Sequence, residues 1–136
     1  MTLHVEVLMP DRSLWSGEAG MVIAKTIDGD IGVLSGRAPV FGILSPGSLV
    51  RIQPEASGDE PGAEVRAAVR DGFLSVTDDR VSILTSAGLL ADDVEVSEAR
   101  ADLDAAAAEA ASASAAEESV EVRYARARLR AAGEQA

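Results

Sequence analysis

The sequence predicts an α+β chain that is mostly β: a β-sandwich or flattened barrel over residues 1–90, followed by a two-helix antiparallel hairpin over 91–136. Three observations carry this. Short apolar or period-two runs recur up to about Leu90, with turn signals roughly every eight to twelve residues between them. The composition then changes abruptly, and nine of the twelve residues from Ala105 to Ala116 are alanine, the strongest helix former. Finally, no run approaches the roughly 18 apolar residues that a membrane span needs.

Each element has its own signal. Leu3–Leu8 alternates, with Leu3, Val5 and Val7 on one face. Pro10-Asp11 is a turn, Leu14–Glu18 a second strand and Gly20–Thr26 a third, whose Met21-Val22-Ile23 run suggests burial on both faces. Asp28-Gly29-Asp30 turns the chain into the short apolar Ile31–Leu34. Gly36-Arg37-Ala38-Pro39 is a loop, Val40–Leu44 a strand and Ser45-Pro46-Gly47-Ser48 a turn before Leu49–Ile52. Residues 54–62 form a polar hairpin loop longer than most. Glu64–Arg70, Gly72–Val76 and Val81–Leu84 are three more strands, the last two joined by Thr77-Asp78-Asp79-Arg80, whose acids read as solvated turn residues. Ser97 is placed as an N-cap with Glu98 in the first turn. Ser112-Ala113-Ser114 is the expected bend, and Glu117–Ala132 the second helix, stopped by Gly133.

Composition excludes much chemistry. The chain has 136 residues, 23 acidic and 12 basic, for a net charge of −11. Such a chain lacks the broad basic surface that nucleic acid requires. It has no cysteine and one histidine, His4, which strand alternation turns to solvent. Thiolate metal sites and triads are thereby removed. No phosphate loop, calcium loop or nucleophile–base pair is legible, so no catalytic residue, metal or cofactor is assigned. A charged n-region followed by an apolar h-region is missing from the N-terminus, so a cytoplasmic, soluble or peripheral protein is expected.

The charge is uneven. Residues up to Leu89 carry 12 acids and 7 bases (−5); the remainder carries 11 and 5 (−6). Within the tail, Arg123, Arg126, Arg128 and Arg130 cluster, and Arg123, Arg126 and Arg130 share one helical face. They complement the helix dipole, pair with first-helix acids, or dock on an acidic partner. The larger apolar groups of the hairpin are Leu103, Val120, Val122 and Leu129 amid alanine. Such a helix pair forms easily but buries little area, so it either packs permanently or acts as a two-position switch.

Residues 28–39, Asp-Gly-Asp-Ile-Gly-Val-Leu-Ser-Gly-Arg-Ala-Pro, resemble the acidic–Gly–acidic–apolar–Gly stretch running into Gly-His-Ala-Pro of the epsilon subunits of bacterial F-type ATP synthases. Ser16-Gly17-Glu18, Pro46–Ile52, Gly72–Val76, Val81–Leu84, Val96–Ala101 and Ala127–Arg130 extend the resemblance in order over essentially the whole chain. The resemblance implies a ten-stranded sandwich plus two helices, in a non-catalytic subunit of the rotor's central stalk. It implies that the sandwich binds the gamma subunit and stands on the c-ring. The tail would fold back or extend toward the catalytic alpha/beta subunits, restraining ATP hydrolysis. Such a protein is peripheral to the cytoplasmic face of the bacterial membrane.

By position, Asp30 matches the acid that meets the c-ring loops, and Arg37 stands where the family has histidine. Arg123, Arg126, Arg128 and Arg130 match the region whose basic side chains meet an acidic helix of the beta subunit. Some members bind ATP through apolar–Asp–two residues–Arg–Ala; here Ser97 replaces the Asp and Arg100 is kept, making Arg100 the ATP candidate. Ser35 replaces the usual proline, and Asp71 replaces the first of two glycines, a position suited to left-handed backbone. A different class of function stays open beside the rotor subunit: a small-ligand sensor in which Arg100 and the second-helix arginines bind nucleotide phosphates.

Overall fold

The computed structural model describes residues 2–54, 64–112 and 120–134. The 54–62 loop beyond Pro54 and the expected bend at residues 113 and 114 lie outside them. Nine strands are present among the described residues: β1 (Leu3–Leu8), β2 (Ser13–Thr26), β3 (Gly29–Leu34), β4 (Val40–Ile43), β5 (Ser48–Pro54), β6 (Val65–Val69), β7 (Phe73–Thr77), β8 (Arg80–Leu84) and β9 (Gly88–Leu90). A single 3-10 turn, Ala91–Asp93, leads into α1 (Val96–Ser112) and α2 (Val120–Ala131).

The resemblance implies ten strands; the described residues hold nine, among them β9, which the residue pattern does not mark. Leu14–Glu18 and Gly20–Thr26, read as two strands, are one 14-residue strand, β2. Its first half pairs with β1, and its second half pairs with β3 and β5. The register slips between Ala19 and Met21. Irregularities of this kind bend a strand and increase its twist, so β2 changes partners along its length within one sheet. The hydrogen-bonded path is β4-β7-β8-β1-β2-β5-β6-β9, with β3 beside β2. β4 and β9 stand at its ends, so the sheet is a sandwich and does not close into a barrel.

The alternation of β1 holds: Leu3, Val5 and Val7 are buried while His4 and Glu6 face solvent. They meet Val22, Val33, Val50, Ile52, Leu74, Val76, Val81 and Ile83 in one aliphatic core. In β2, Val22 is fully buried, whereas Met21 and Ile23 are half-buried, so the run is covered unevenly on its second face. β6 differs from the other strands because Ala67, Ala68 and Val69 are all buried in succession. A strand buried on both faces has lost its alternation because something covers it, and here α2 lies over it.

Three local readings are revised. The first helical carbonyl is that of Glu95, which accepts from Ala99 N–H at 2.9 Å, so Ser97 sits inside the first turn of α1 and is not its N-cap. Asp79 is no simple solvated acid: its carboxylate accepts from Ser35 Oγ–H at 2.9 Å and Gly36 N–H at 2.7 Å, tying the β3–β4 loop to the β7–β8 turn. Asp71 does not take left-handed backbone; Gly72 does (φ +133°), and Asp71 instead accepts from the Ser86 hydroxyl at 2.6 Å.

The tail is layered. α2 packs on β5 and β6, and α1 packs on α2. Successive helical residues turn by 100°. This puts Val122, Ala125 and Leu129 on one face of α2, and Tyr124, Ala127 and Ala131 on the opposite one. Both sets are buried apart from the half-buried Tyr124. Ala127 and Ala131 meet Ala68 of the sandwich, flanked by Leu49, Ala91, Val94 and Tyr124. Leu103 and Ala106 of α1 are half-buried, and Ala99 is buried.

Candidate docking surfaces

Two surfaces depart from what a solvated sandwich would present. The first is apolar. In antiparallel sheets with one wet face, outward positions are normally polar. On the outer face of β4-β7-β8-β1, however, Ile43 lies opposite Phe73, Phe73 opposite Leu84 and Leu84 opposite Leu8. Phe41 flanks this row, its ring 5.6 Å from that of Phe73. Phe41 is 67% exposed, Ile43 49%, Phe73 44% and Leu84 42%. The row runs into a cavity of about 330 Å³ bounded by Leu8, Met9, Pro10 and Phe73. A contiguous exposed apolar patch of this kind marks a partner surface. Sequence reasoning placed these residues in strands without assigning their faces. The available signal was alternation: Phe41 and Ile43 share one face of their strand, and Phe73 lies on the face opposite Leu74 and Val76.

The second surface is basic. Arg123, Arg126 and Arg130 do share one flank of α2, as their spacing predicts. The fold places that flank beside the outer face of β2, β3 and β5. Together with Lys25, Arg51 and Asp30 it lines a cavity of about 690 Å³. Asp30 stands opposite Lys25 in the β2–β3 register. Arg51 is held by Glu64 through two bonds of 2.8 and 2.9 Å, and this hydrogen-bonded guanidinium keeps the Glu64 carboxyl below its usual range. Arg123 reaches across to the sandwich, donating to Ser45 Oγ at 2.7 Å.

Arg128 faces elsewhere. Its guanidinium pairs with Asp102 of α1 at 3.0 Å and stacks 4.7 Å above the Tyr124 ring, so it joins the two helices. Burial pushes the Tyr124 hydroxyl above its ordinary range. Arg37 is exposed in the β3–β4 loop, away from the basic cavity, and Arg100 is exposed on α1 and lines neither cavity. The fold thus unites Asp30 with three of the four clustered arginines but leaves out Arg37, Arg100 and Arg128. Among the described residues, no cluster of metal-ligating side chains occurs. No described helix is long and apolar enough to cross a membrane.

The hairpin is fastened at the β4–β5 turn and at the end of β6. Arg70 pairs with Glu121 at the start of α2. Gly47, with φ +62°, lies against the α2 backbone; a Cβ there would sit 2.5 Å from Tyr124 N and inside the contact distance of Arg123. A glycine is required both by the backbone conformation and by the helix.

Residues 2–91 match the family described as "ATP synthase, Delta/Epsilon chain, beta-sandwich domain". The ATP synthase epsilon chain of Thermobifida fusca is 50% identical over 131 residues, covering 96% of this chain and 91% of that one. That of Frankia casuarinae is 43% identical over 90 residues, 66% of this chain but 99% of its own length. Among solved structures, a chain of the Euglena gracilis mitochondrial ATP synthase (OSCP/F1/c-ring) matches with a TM-score of 0.70 at 18% identity, over 97% of this chain and 79% of that one. A chain of the Tetrahymena thermophila mitochondrial ATP synthase central stalk/c-ring matches with a TM-score of 0.54 at 13% identity, over 70% and 71%. On the family match and the identity with bacterial relatives, the chain belongs to the ATP synthase epsilon chain family, whose members are non-catalytic accessory subunits of that complex.

Proposed function

We propose that this chain is a rotor subunit of the central stalk that couples rotation of the gamma subunit and c-ring to catalysis and restrains ATP hydrolysis through its tail. In this reading the chain has two domains, a sandwich over residues 1–90 and a hairpin over 91–136. The observation that carries it is the apolar row of Phe41, Ile43, Phe73 and Leu84, left uncovered on a chain of net charge −11. Such a surface is suited to a permanent partner, and the gamma subunit is the partner assigned to it. Asp30 and Arg37, both exposed, are assigned to the polar c-ring loops. α1 is attached through α2, so releasing α2 frees both helices to extend toward the alpha/beta subunits. Arg123, Arg126, Arg128 and Arg130 would then meet acidic side chains there. The protein would lie at the cytoplasmic face of the bacterial membrane as a peripheral component.

The test is co-purification with the cognate gamma subunit. Phe41→Asp and Phe73→Asp replace exposed side chains, so the monomer should stay folded and lose gamma. Unchanged gamma binding by both variants refutes the assignment. For the tail, ending the chain at Leu90 should raise ATP hydrolysis by the reconstituted complex; unchanged hydrolysis refutes the restraint. The competing sensor reading, in which Arg100 and the second-helix arginines grip one nucleotide, loses support because Arg100 does not line the cavity that Arg123, Arg126 and Arg130 share.

A further inference from the structure

We infer, on the reading that assigns Arg37 to the c-ring loops, that Asp79 is a positioning residue: it fastens the loop between β3 and β4 so that the Arg37 guanidinium is preset for that contact. The loop begins as a tight turn. Arg37 N–H donates to Leu34 O at 3.3 Å, and Gly36, the third residue of that turn, has φ +86°, as a type II turn requires. The closing bond uses the first carbonyl and the fourth N–H, so the Gly36 N–H must be satisfied from outside the turn. Asp79 satisfies it at 2.7 Å and accepts from the Ser35 hydroxyl at 2.9 Å.

Asp79 is a firm post for this. It and Asp78 both have positive φ, +62° and +49°, the backbone of a two-residue hairpin turn of type I′. The Asp79 carbonyl also accepts from His4 N–H at 2.8 Å, which ties the turn to β1. The far end of the loop returns to the same hairpin, because Val40 pairs with Val76 of β7. Arg37, Ala38 and Pro39 therefore form a short exposed bridge, held at both ends on the β7–β8 hairpin. Pro39 has a fixed φ and disfavours helical backbone at Ala38, so the bridge is stiff as well as short. Backbone ordered in advance does not have to be ordered at binding, where that cost is subtracted from affinity. A guanidinium presented in this way suits the carboxylate and carbonyl oxygens of a polar loop, which its paired N–H donors can grip.

The experiment measures the affinity of this chain, assembled with its gamma subunit, for the detergent-solubilised c-ring. Arg37→Ala should weaken it about tenfold. Asp79→Gly keeps left-handed backbone at no steric cost but lacks the carboxylate, and should weaken it about three- to tenfold by loosening the loop. Asp79→Asn keeps an acceptor for Gly36 N–H and should lie closer to the parent. The double variant Arg37→Ala/Asp79→Gly should bind no worse than Arg37→Ala, because two residues that act through one contact are not additive. In the isolated chain, Asp79→Gly should speed hydrogen exchange at Gly36 N–H while the β8 amides keep their protection. Parent-like binding by Asp79→Gly beside a weakened Arg37→Ala overturns the positioning and leaves the Arg37 contact standing. Losses that multiply in the double variant overturn action through Arg37. Unchanged exchange at Gly36 overturns the fastening itself. Parent-like binding by Arg37→Ala refutes the assignment of Arg37, and the positioning falls with it.

Discussion

Gly47→Ala should release the hairpin while leaving the sandwich folded. Two effects act at that position. Left-handed backbone costs an alanine roughly 1–2 kcal/mol, and the new methyl would sit 2.5 Å from Tyr124 N, about 1 Å or more inside an ordinary contact. Gly36→Ala separates the two. Gly36 also has positive φ (+86°), but nothing lies within 4 Å of its Cβ position, so it carries the backbone penalty alone. The extra effect at Gly47 is bounded by the contacts that α2 gives up when it moves. Those include the methyls of Ala68, Ala127 and Ala131, about 0.8 kcal/mol for each buried carbon, the Arg123–Ser45 hydrogen bond, worth about 1 kcal/mol, and the Arg70–Glu121 pair, worth no more than about 1 kcal/mol. They sum to about 4 kcal/mol, to which the packing of Tyr124 against Leu49 and Val94 adds, so the clash acts against a docking of only a few kcal/mol. Hydrogen exchange on the α2 amides is the assay. Gly47→Ala should lose most α2 protection, down to that of a solvated helix, while β1, β7 and β8 keep theirs. Gly36→Ala should keep α2 protection. Equal α2 protection in both variants would refute a tight crossing at Gly47.

Other outcomes follow from the same contacts. Arg70→Ala removes a pair to Glu121 in which the arginine is half-buried and the glutamate exposed, so its loss should cost no more than about 1 kcal/mol and shrink further in high salt, read from thermal melts at two ionic strengths. The Asp79 carboxyl is held below its usual range, first by Gly36 N–H and then by the Ser35 hydroxyl. A carboxyl depressed in the folded state contributes stability above its unfolded pKa of about 3.9, and that contribution is lost as the pH falls through the lower folded value. Urea midpoints of the parent should therefore fall below about pH 4, and Asp79→Asn, which tolerates the φ of +62°, should flatten that slope. A chain ending at Leu90 should still unfold cooperatively with its β circular dichroism intact; the Frankia casuarinae relative, matched over 99% of its own length by 90 residues, is itself about as long as the sandwich. Ile83→Ala, at a fully buried core position, should by contrast cost about 2–5 kcal/mol in any form of the chain.

Local pattern by itself determined the order and type of the elements. Alternation in Leu3–Leu8 gave both the strand and its inward face, because a strand's side chains alternate whatever they pack against. Alanine-rich propensity gave α1, and the i, i+3, i+7 spacing put Arg123, Arg126 and Arg130 on one flank, because helix geometry alone sets that grouping. Ordered motifs also made the family legible. Tertiary structure decided everything that depends on what lies opposite. One long β2 pairs with β1 along its first half and with β3 and β5 along its second, with a register slip between, a pairing that local propensity does not encode. Ala67-Ala68-Val69 lost their alternation because α2 covers them. Arg128 turned to Asp102 while its three neighbours faced the sandwich, and Asp30 joined them from a strand some ninety residues away in sequence. Gly47, read as an ordinary turn residue, became the point where the helix touches the turn. Periodicity acts through neighbours along the chain, whereas a groove, a crossing or an uncovered row of apolar side chains exists only between segments that folding brings together.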